Sequence, residues 1–315
     1  MNSVATFYKF VVLDDLQALR DSLEARAGEL ELCGTVLLAD EGINGTLSGN
    51  REQLSELVDW LREQPALADL LCKFSTADPD NPVFHRLKIR IKPEIVNMGR
   101  PEVAVAERTG THVGPAQWHE LLEDPDVVVI DTRNDYEVAI GTFPGALNPG
   151  TNSFREFPDY VHSQLDPNSN PRVAMFCTGG VRCEKASAYL LDAGFQEVFQ
   201  LDGGILNYLE QVPAEDNRWQ GECFVFDQRV SVDESLQQGS FSQCFACRRA
   251  LTGQDLESAD YQYGISCPYC INETDEQRRA AFAERARQEA LAHARGDRHI
   301  GKTMPAFEPD RSSES

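Results

Sequence analysis

The stretch VAMFCTGGVRCEKASAYLL, residues 173–191, bears on fold and chemistry together. An apolar run ends at Cys177, a short loop with Gly179 and Gly180 follows, and helical spacing begins near Arg182. A continuous apolar run bounded in this way reads as a strand buried on both faces, as in a parallel α/β sheet. Open sheets of that kind bind ligands at the C-terminal ends of their strands. The glycines let the loop curl with its N–H groups inward at a helix N-terminus, which favours an anion, and favours thiolate over thiol. A cysteine that only fills a core needs neither two glycines nor an arginine after it. Cys177 is therefore the candidate nucleophile, in a loop made of Thr178, Gly179, Gly180 and Val181. Arg182 either stabilises an anion or braces the loop. Cys183 reads as inward packing on the helix in preference to a resolving thiol.

Working outward, VVVIDTR (127–133), RVAMFC (172–177) and EVFQLDGG (197–204) alternate with helical patterns. They predict an α/β domain over residues 101–225 with a mostly parallel sheet. Residues 99–115 read as a connector. Before them, TFYKFVVL (6–13) predicts a strand, and 14–30 an amphipathic helix with Leu16, Leu19 and Leu23 on one face. Residues 32–40 and 41–49 predict two strands around a turn. A helix over 50–64 follows, capped by Asn50, and VFHRLKIRIKPEI (83–95) reads as the fourth strand. The order β-α-β-β-α-β is the ferredoxin-like pattern, over residues 1–100. In the 83–95 segment Arg86, Lys88, Arg90 and Lys92 alternate with Leu87, Ile89 and Ile91. Alternation puts the four cations on one face. That line of charge suits an RNA backbone, and it equally suits an edge strand guarded by charge.

The third region, 226–296, holds Cys244 and Cys247, then Cys267 and Cys270. Two Cys-x-x-Cys knuckles separated by 19 residues (248–266) read as a structural zinc site with four thiolates. Redox pairs are the rival reading. A helix over 274–295 carries Arg278, Arg279, Arg285 and Arg287, offset by Glu276, Glu284 and Glu289, and reads as a solvated helix ended by Gly296. Residues 297–315 read as a disordered tail.

The bulk numbers bound these readings. Of 315 residues 41% are apolar and 25% charged, the composition of a globular multidomain protein. No apolar run is long enough to span a membrane, and the N-terminus lacks a signal-peptide pattern, so a cytoplasmic protein is expected. Nine cysteines, an odd number, fit metal and catalytic roles better than a disulfide framework. The net charge of -22 argues against generic nucleic-acid binding, so any RNA contact must come from local patches such as the basic strand. No nicotinamide or flavin fingerprint is present, since LDGGIL lacks the G-x-G-x-x-G pattern, and no organic cofactor is expected.

CTGGVR resembles the active-site loop of rhodaneses, which carry sulfur as a cysteine persulfide. The likeness extends to VVVIDTRNDYEVAIGTFPGALNPG, with Asp131, Arg133 and Glu137, and to VFQLDGGILNY. Related phosphatases use a longer loop, so the short one here speaks for sulfur or other cysteine chemistry. With LLADEGINGTLSG, FHRLKIRIKPEIVNMG and the four-cysteine module added, nearly the whole chain is similar to the TrhO (YceA) family of tRNA uridine hydroxylases. That resemblance implies conversion of wobble uridine 34 to 5-hydroxyuridine with molecular oxygen as co-substrate. It also implies the tRNA anticodon region as partner and an essential cysteine at Cys177; the lack of a spanning apolar run adds the expectation of no membrane partner. Phe143, Phe154 and Phe157 are expected to border the pocket, where a splayed base can stack. Two other classes stay open: a sulfurtransferase passing sulfur from Cys177 to a partner or to tRNA, and a redox-sensing binding module.

Overall fold

The structure, a computed structural model, describes residues 2–76, 83–227 and 229–295. The expected tail and Gly296 lie outside them. The chain divides into two compact units, one of residues up to 243 with 248–254, the other of residues 244–247 with those from 255 on. No helix among the described residues is long and apolar enough to cross a membrane.

The first unit opens with β1 (Asn2–Phe10), α1 (Leu16–Glu29), β2 (Cys33–Ala39), β3 (Gly42–Asn50), α2 (Arg51–Arg62), β4 (Cys72–Thr76) and β5 (Leu87–Ile91). The sheet order is β4-β1-β3-β2-β5. Asn50 caps α2, its side chain accepting from the Glu52 N–H at 2.9 Å. Ala5 and Phe7 of β1 point into a core with Leu23, Leu54, Leu57 and Leu61 from the two helices. The ferredoxin-like reading stands, with one correction. Its fourth strand is β4, which pairs antiparallel with β1, and not the basic segment. That segment is a fifth strand, added parallel to β2 on the opposite edge. An edge strand has one free row of backbone groups, and charge on it discourages pairing with another chain.

The same unit continues with β6 (Thr111–Val113), α3 (Pro115–Glu123), β7 (Val128–Asp131), α4 (Asp135–Val138), β8 (Gly141–Thr142), α5 (Phe157–Gln164), β9 (Arg172–Phe176), α6 (Val181–Asp192), β10 (Glu197–Leu201) and α7 (Gly204–Gln211). The parallel sheet runs β6-β10-β9-β7. The segment read as a connector therefore contains an edge strand, too short at three residues to show a period. Trp118, Phe143, Phe176 and Tyr208 fill one face of this sheet, while Phe154, Phe157 and Met175 lie on the other. Buried strands with helices on both faces need no polar alternation, which is why VAMF (173–176) is apolar throughout.

The two sheets of this unit are joined by a buried ion triad. Lys185 of α6, fully buried, reaches Glu41 at 2.5 Å and Glu94 at 2.8 Å. Glu41 lies at the β2–β3 turn and also accepts the Ile95 N–H at 2.7 Å. A lysine with two carboxylates at this depth is held only where all three stay in place.

In the second unit the long helix α9 (Glu276–Ala294) follows the cysteine knuckles, after a short α8 (Gly253–Glu257). The arginines of α9 are used locally. Arg287 pairs with Glu284 at 2.8 Å, Arg285 donates to the Phe245 carbonyl at 2.7 Å, and Arg279 donates to the Ile271 and Thr274 carbonyls.

Candidate active site

β9 ends at Phe176 and α6 starts at Val181, so the loop from Cys177 to Gly180 crosses the C-terminal edge of the parallel sheet. Gly180 has φ +93°, and a Cβ there would stand 2.8 Å from the Tyr8 hydroxyl. Gly204, at φ +66°, packs on the loop so closely that a Cβ would meet the Cys177 carbonyl oxygen at 2.4 Å. Both positions need glycine for conformation and for space. The loop is thus gripped between β1 of the first sheet and the turn before α7.

Cys177 is 1% exposed, and its sulfur accepts the Gly180 N–H at 3.1 Å. Burial pushes the thiol up. Hydrogen bonding from Cys183, the charge of Arg182 and the N–H groups of residues 183 and 182 outweigh it, and its pKa is lowered to about 6. Cys183 moves the opposite way. Burial and the neighbouring Cys177 raise it well above the ordinary thiol value, so it is the proton donor of the pair. Cys183 is fully buried beside Thr132, whose hydroxyl lies 3.5 Å from its sulfur.

Arg182 does not point into open space. It chelates Glu137 at 2.6 and 2.8 Å, both side chains buried. Glu137 also completes a capping box at the start of α4. Next to them Arg133 pairs with Asp131 at 2.7 Å, both fully buried. Of the two roles open to Arg182, the geometry supplies the brace, and its charge reaches Cys177 through space.

A cavity of about 530 Å³ opens beside the loop, lined by Tyr8, Lys73, His112, Gly179, Glu184 and Asn207 among others. That volume suits a small-molecule-sized group. Gly179 represents the loop on its wall, while Cys177 is buried and does not line it. Glu184 is the hub of the inner wall: it accepts from His112 at 2.9 Å, Thr109 at 2.9 Å, Gln200 at 3.0 Å and Tyr8 at 3.4 Å. Burial pushes the Glu184 carboxyl up, but its bonds to His112, Thr109 and Gln200 hold it below the usual range. The same bond raises the pKa of His112. Tyr8, desolvated and facing Glu184 and Cys177, keeps its proton far above the usual range.

The expected aromatic border is not there. Phe143 is fully buried, Phe157 is 1% exposed and Phe154 is 7% exposed. All three serve the core, because the elements carrying them turn inward between the sheet and its helices. The exposed aromatic near the loop is Phe226, with the Arg182 guanidinium 5.8 Å from its ring centre. Tyr8, Lys73, His112 and Glu184 were not singled out from the sequence. They come from four separate elements, and no local pattern joins them.

The basic strand is exposed at Arg86, Lys88, Arg90 and Lys92, with Ile89 buried beneath. Among the described residues no ion pair holds these four cations. In the second unit the sulfurs of Cys244, Cys247, Cys267 and Cys270 all lie within 4.8 Å of one another, with 3.7 Å between Cys247 and Cys267 and 3.6 Å between Cys267 and Cys270. Four thiolates about 2.3 Å from a central tetrahedral ion would stand about 3.8 Å apart, so the set could hold a metal ion.

Residues 2–95 match the family described as UPF0176 acylphosphatase like domain, and residues 114–211 the rhodanese-like domain family. A protein of Picosynechococcus sp. named tRNA uridine(34) hydroxylase is 50% identical over 285 residues, covering 90% of this chain and 95% of that protein. Among solved structures, the rhodanese-like domain of an Anabaena sp. protein is 20% identical over 36% of this chain and 80% of its own, with a TM-score of 0.30. An acylphosphatase from Coxiella burnetii is 20% identical over 28% and 92%, with a TM-score of 0.23.

Proposed function

Because this chain belongs to the tRNA uridine(34) hydroxylase family, we propose that it converts uridine 34 of tRNA to 5-hydroxyuridine, with Cys177 as the reacting group. The observation that carries this reading is the near-full-length relationship, in a chain whose rhodanese loop carries a cysteine of lowered pKa next to a cavity.

The chemistry follows from the groups present. Uracil is electrophilic at C6, and addition of the Cys177 thiolate there moves electron density to C5 and the O4 enolate. Access requires the Gly179–Gly180 turn to yield, since the sulfur is buried and accepts the Gly180 N–H. Molecular oxygen, as co-substrate, then delivers one atom to C5. The second atom leaves as water, with two electrons from an external donor. The His112–Glu184 pair on the cavity wall takes the C5 proton, and expulsion of Cys177 restores the ring. Loop N–H groups stabilise the developing anion. The four exposed cations on and beside β5 bind the anticodon arm, and the four cysteines would hold a zinc ion as a structural element. A tRNA substrate places the reaction in the cytoplasm.

The burial of Cys177 favours one rival: a persulfide there would extend its outer sulfur towards the cavity, as in sulfur transfer. Incubation of the protein with unmodified tRNA in air and under nitrogen, followed by nucleoside analysis, tests the proposal. Air-dependent 5-hydroxyuridine that disappears in Cys177→Ser is the expected result. Full activity of the serine variant would remove Cys177 from the chemistry.

A further inference from the structure

The five strands of the first sheet place one residue each in a single cross-sheet row. Lys88 of β5 pairs with Thr35 of β2, Thr35 with Thr46 of β3, Thr46 with Thr6 of β1, and Thr6 with Lys73 of β4. Directly paired residues share a face, and the Thr6 and Thr46 hydroxyls lie 3.4 Å apart on it. This is the face turned away from α1 and α2, whose core takes Ala5, Phe7 and Ile89. The row spans about 19 Å, four strand spacings. The next row runs from Arg90 through Leu37 and Asn44 to Tyr8, whose hydroxyl sits against Gly180.

The row has a cation at each end and hydroxyls between. Lys88 and Thr6 are exposed, and Thr35 and Thr46 are half-buried. Thr6 and Lys73 line the cavity. Lys73 is held at its rim by a hydrogen bond to Asn207, with Glu210 at 3.8 Å as counter-charge and Asp202 on the same rim. The cations that the sequence marks on β5 therefore lie at one edge of a polar track whose other edge is the cavity beside the cysteine loop.

We propose that this sheet face is the surface along which a single-stranded segment of the RNA substrate lies, its phosphates running from the β5 cations towards Lys73 and its target base entering the cavity past Thr6 and Tyr8. The inference rests on the function proposed above and adds the path and the cavity. Cations and hydroxyls without bulky side chains suit a phosphate backbone, and in a chain of net charge -22 they are the local exception. The first sheet is then one wall of the active site as well as a docking surface.

The test uses the full chain and unmodified tRNA, with binding measured against salt and turnover measured at saturating tRNA. Lys88→Ala and Lys73→Ala should each lower the slope of log affinity against log salt by about 0.7. Lys73→Arg should restore it, and Arg218→Ala, which removes a cation paired with Glu123 elsewhere, should leave it unchanged. Thr6→Trp, which fills the cavity entrance, should reduce kcat at saturating tRNA at least about tenfold. Slopes for both lysine variants equal to that of Arg218→Ala would overturn the track. A Thr6→Trp enzyme as fast as the parent would overturn the cavity as the base site. If the parent protein binds with the expected slopes yet makes no 5-hydroxyuridine, the hydroxylase reading fails and the RNA track stands.

Discussion

Arg182 grips Glu137 through both terminal guanidinium nitrogens, at 2.6 and 2.8 Å. The pair ties the first turn of α6 to the start of α4, and so fixes the curvature of the loop between β9 and α6. Glu137→Ala would strand a buried guanidinium, and the expected loss is about 3–5 kcal/mol of stability. Urea unfolding of the variant measures it. A loss below about 1 kcal/mol, the worth of an exposed pair, would show that the brace contributes little.

The pH dependence has a defined sign. The folded chain holds Cys177 near 6 against an ordinary thiol value of 9.0. The stability this group adds is therefore fully present above about pH 9 and is lost as the pH falls through 6. Activity that needs the thiolate should fall over the same acidic limb. The thiolate ultraviolet absorbance of the protein, less that of Cys177→Ser, reads the midpoint directly. Cys183→Ala removes the donor and should move the midpoint upward; an unmoved midpoint would mean that Cys183 is only a packing residue.

The reach of sequence reasoning can be judged at these same residues. Cys177, its glycines and the four zinc-type cysteines were legible because each motif is local: a strand end, a tight turn and two short knuckles. The ferredoxin-like domain is legible from periodicity, but periodicity puts its fourth strand on the basic segment, where the structure has a fifth. CKFST is short, and the stronger alternation of LKIRI drew the assignment to the wrong edge. Lys185 carried no signal, because in CEKASAYL a lysine looks like an ordinary polar helix position. Its partners Glu41 and Glu94 are distant in sequence, and only the packing of the two sheets brings them to it. The Tyr8–Glu184 contact spans 176 positions and is of the same kind. Phe143, Phe154 and Phe157 illustrate the opposite error, since an aromatic in a loop-like segment is no sign of exposure.

The ion triad yields a third expectation. Lys185→Met keeps the volume and removes the charge, leaving Glu41 and Glu94 close together at a buried site. A loss of about 3–5 kcal/mol is expected in denaturant unfolding. Burial pushes the Glu94 carboxyl up, and bonds to Lys185 and to the N–H groups of residues 99 and 100 hold it down. Its stabilising part is present above the ordinary carboxylate pKa and is lost as the pH falls through the depressed value. In Lys185→Met that acid-side loss should diminish. An unchanged acid limb would mean that the backbone donors alone hold Glu94.

Metal removal tests the four-cysteine site. A strong chelator should release about one equivalent of zinc per chain and expose Cys244, Cys247, Cys267 and Cys270 to thiol reagents. Hydrogen exchange should then rise in residues 244–247 and 255–295, the described part of the second unit. Release of no metal, with four thiols that react at once in the untreated protein, would contradict the zinc assignment.

Cys177 is proposed to put an oxygen atom from molecular oxygen on uridine 34. The most direct measurement incubates the protein and unmodified tRNA under heavy-oxygen gas and weighs the released nucleosides at a resolution that separates oxygen insertion from oxygen-to-sulfur exchange. The expected result is a heavy-oxygen label in 5-hydroxyuridine at position 34, absent with Cys177→Ser. A sulfur-bearing uridine, or a hydroxyl whose oxygen comes from water, would contradict it.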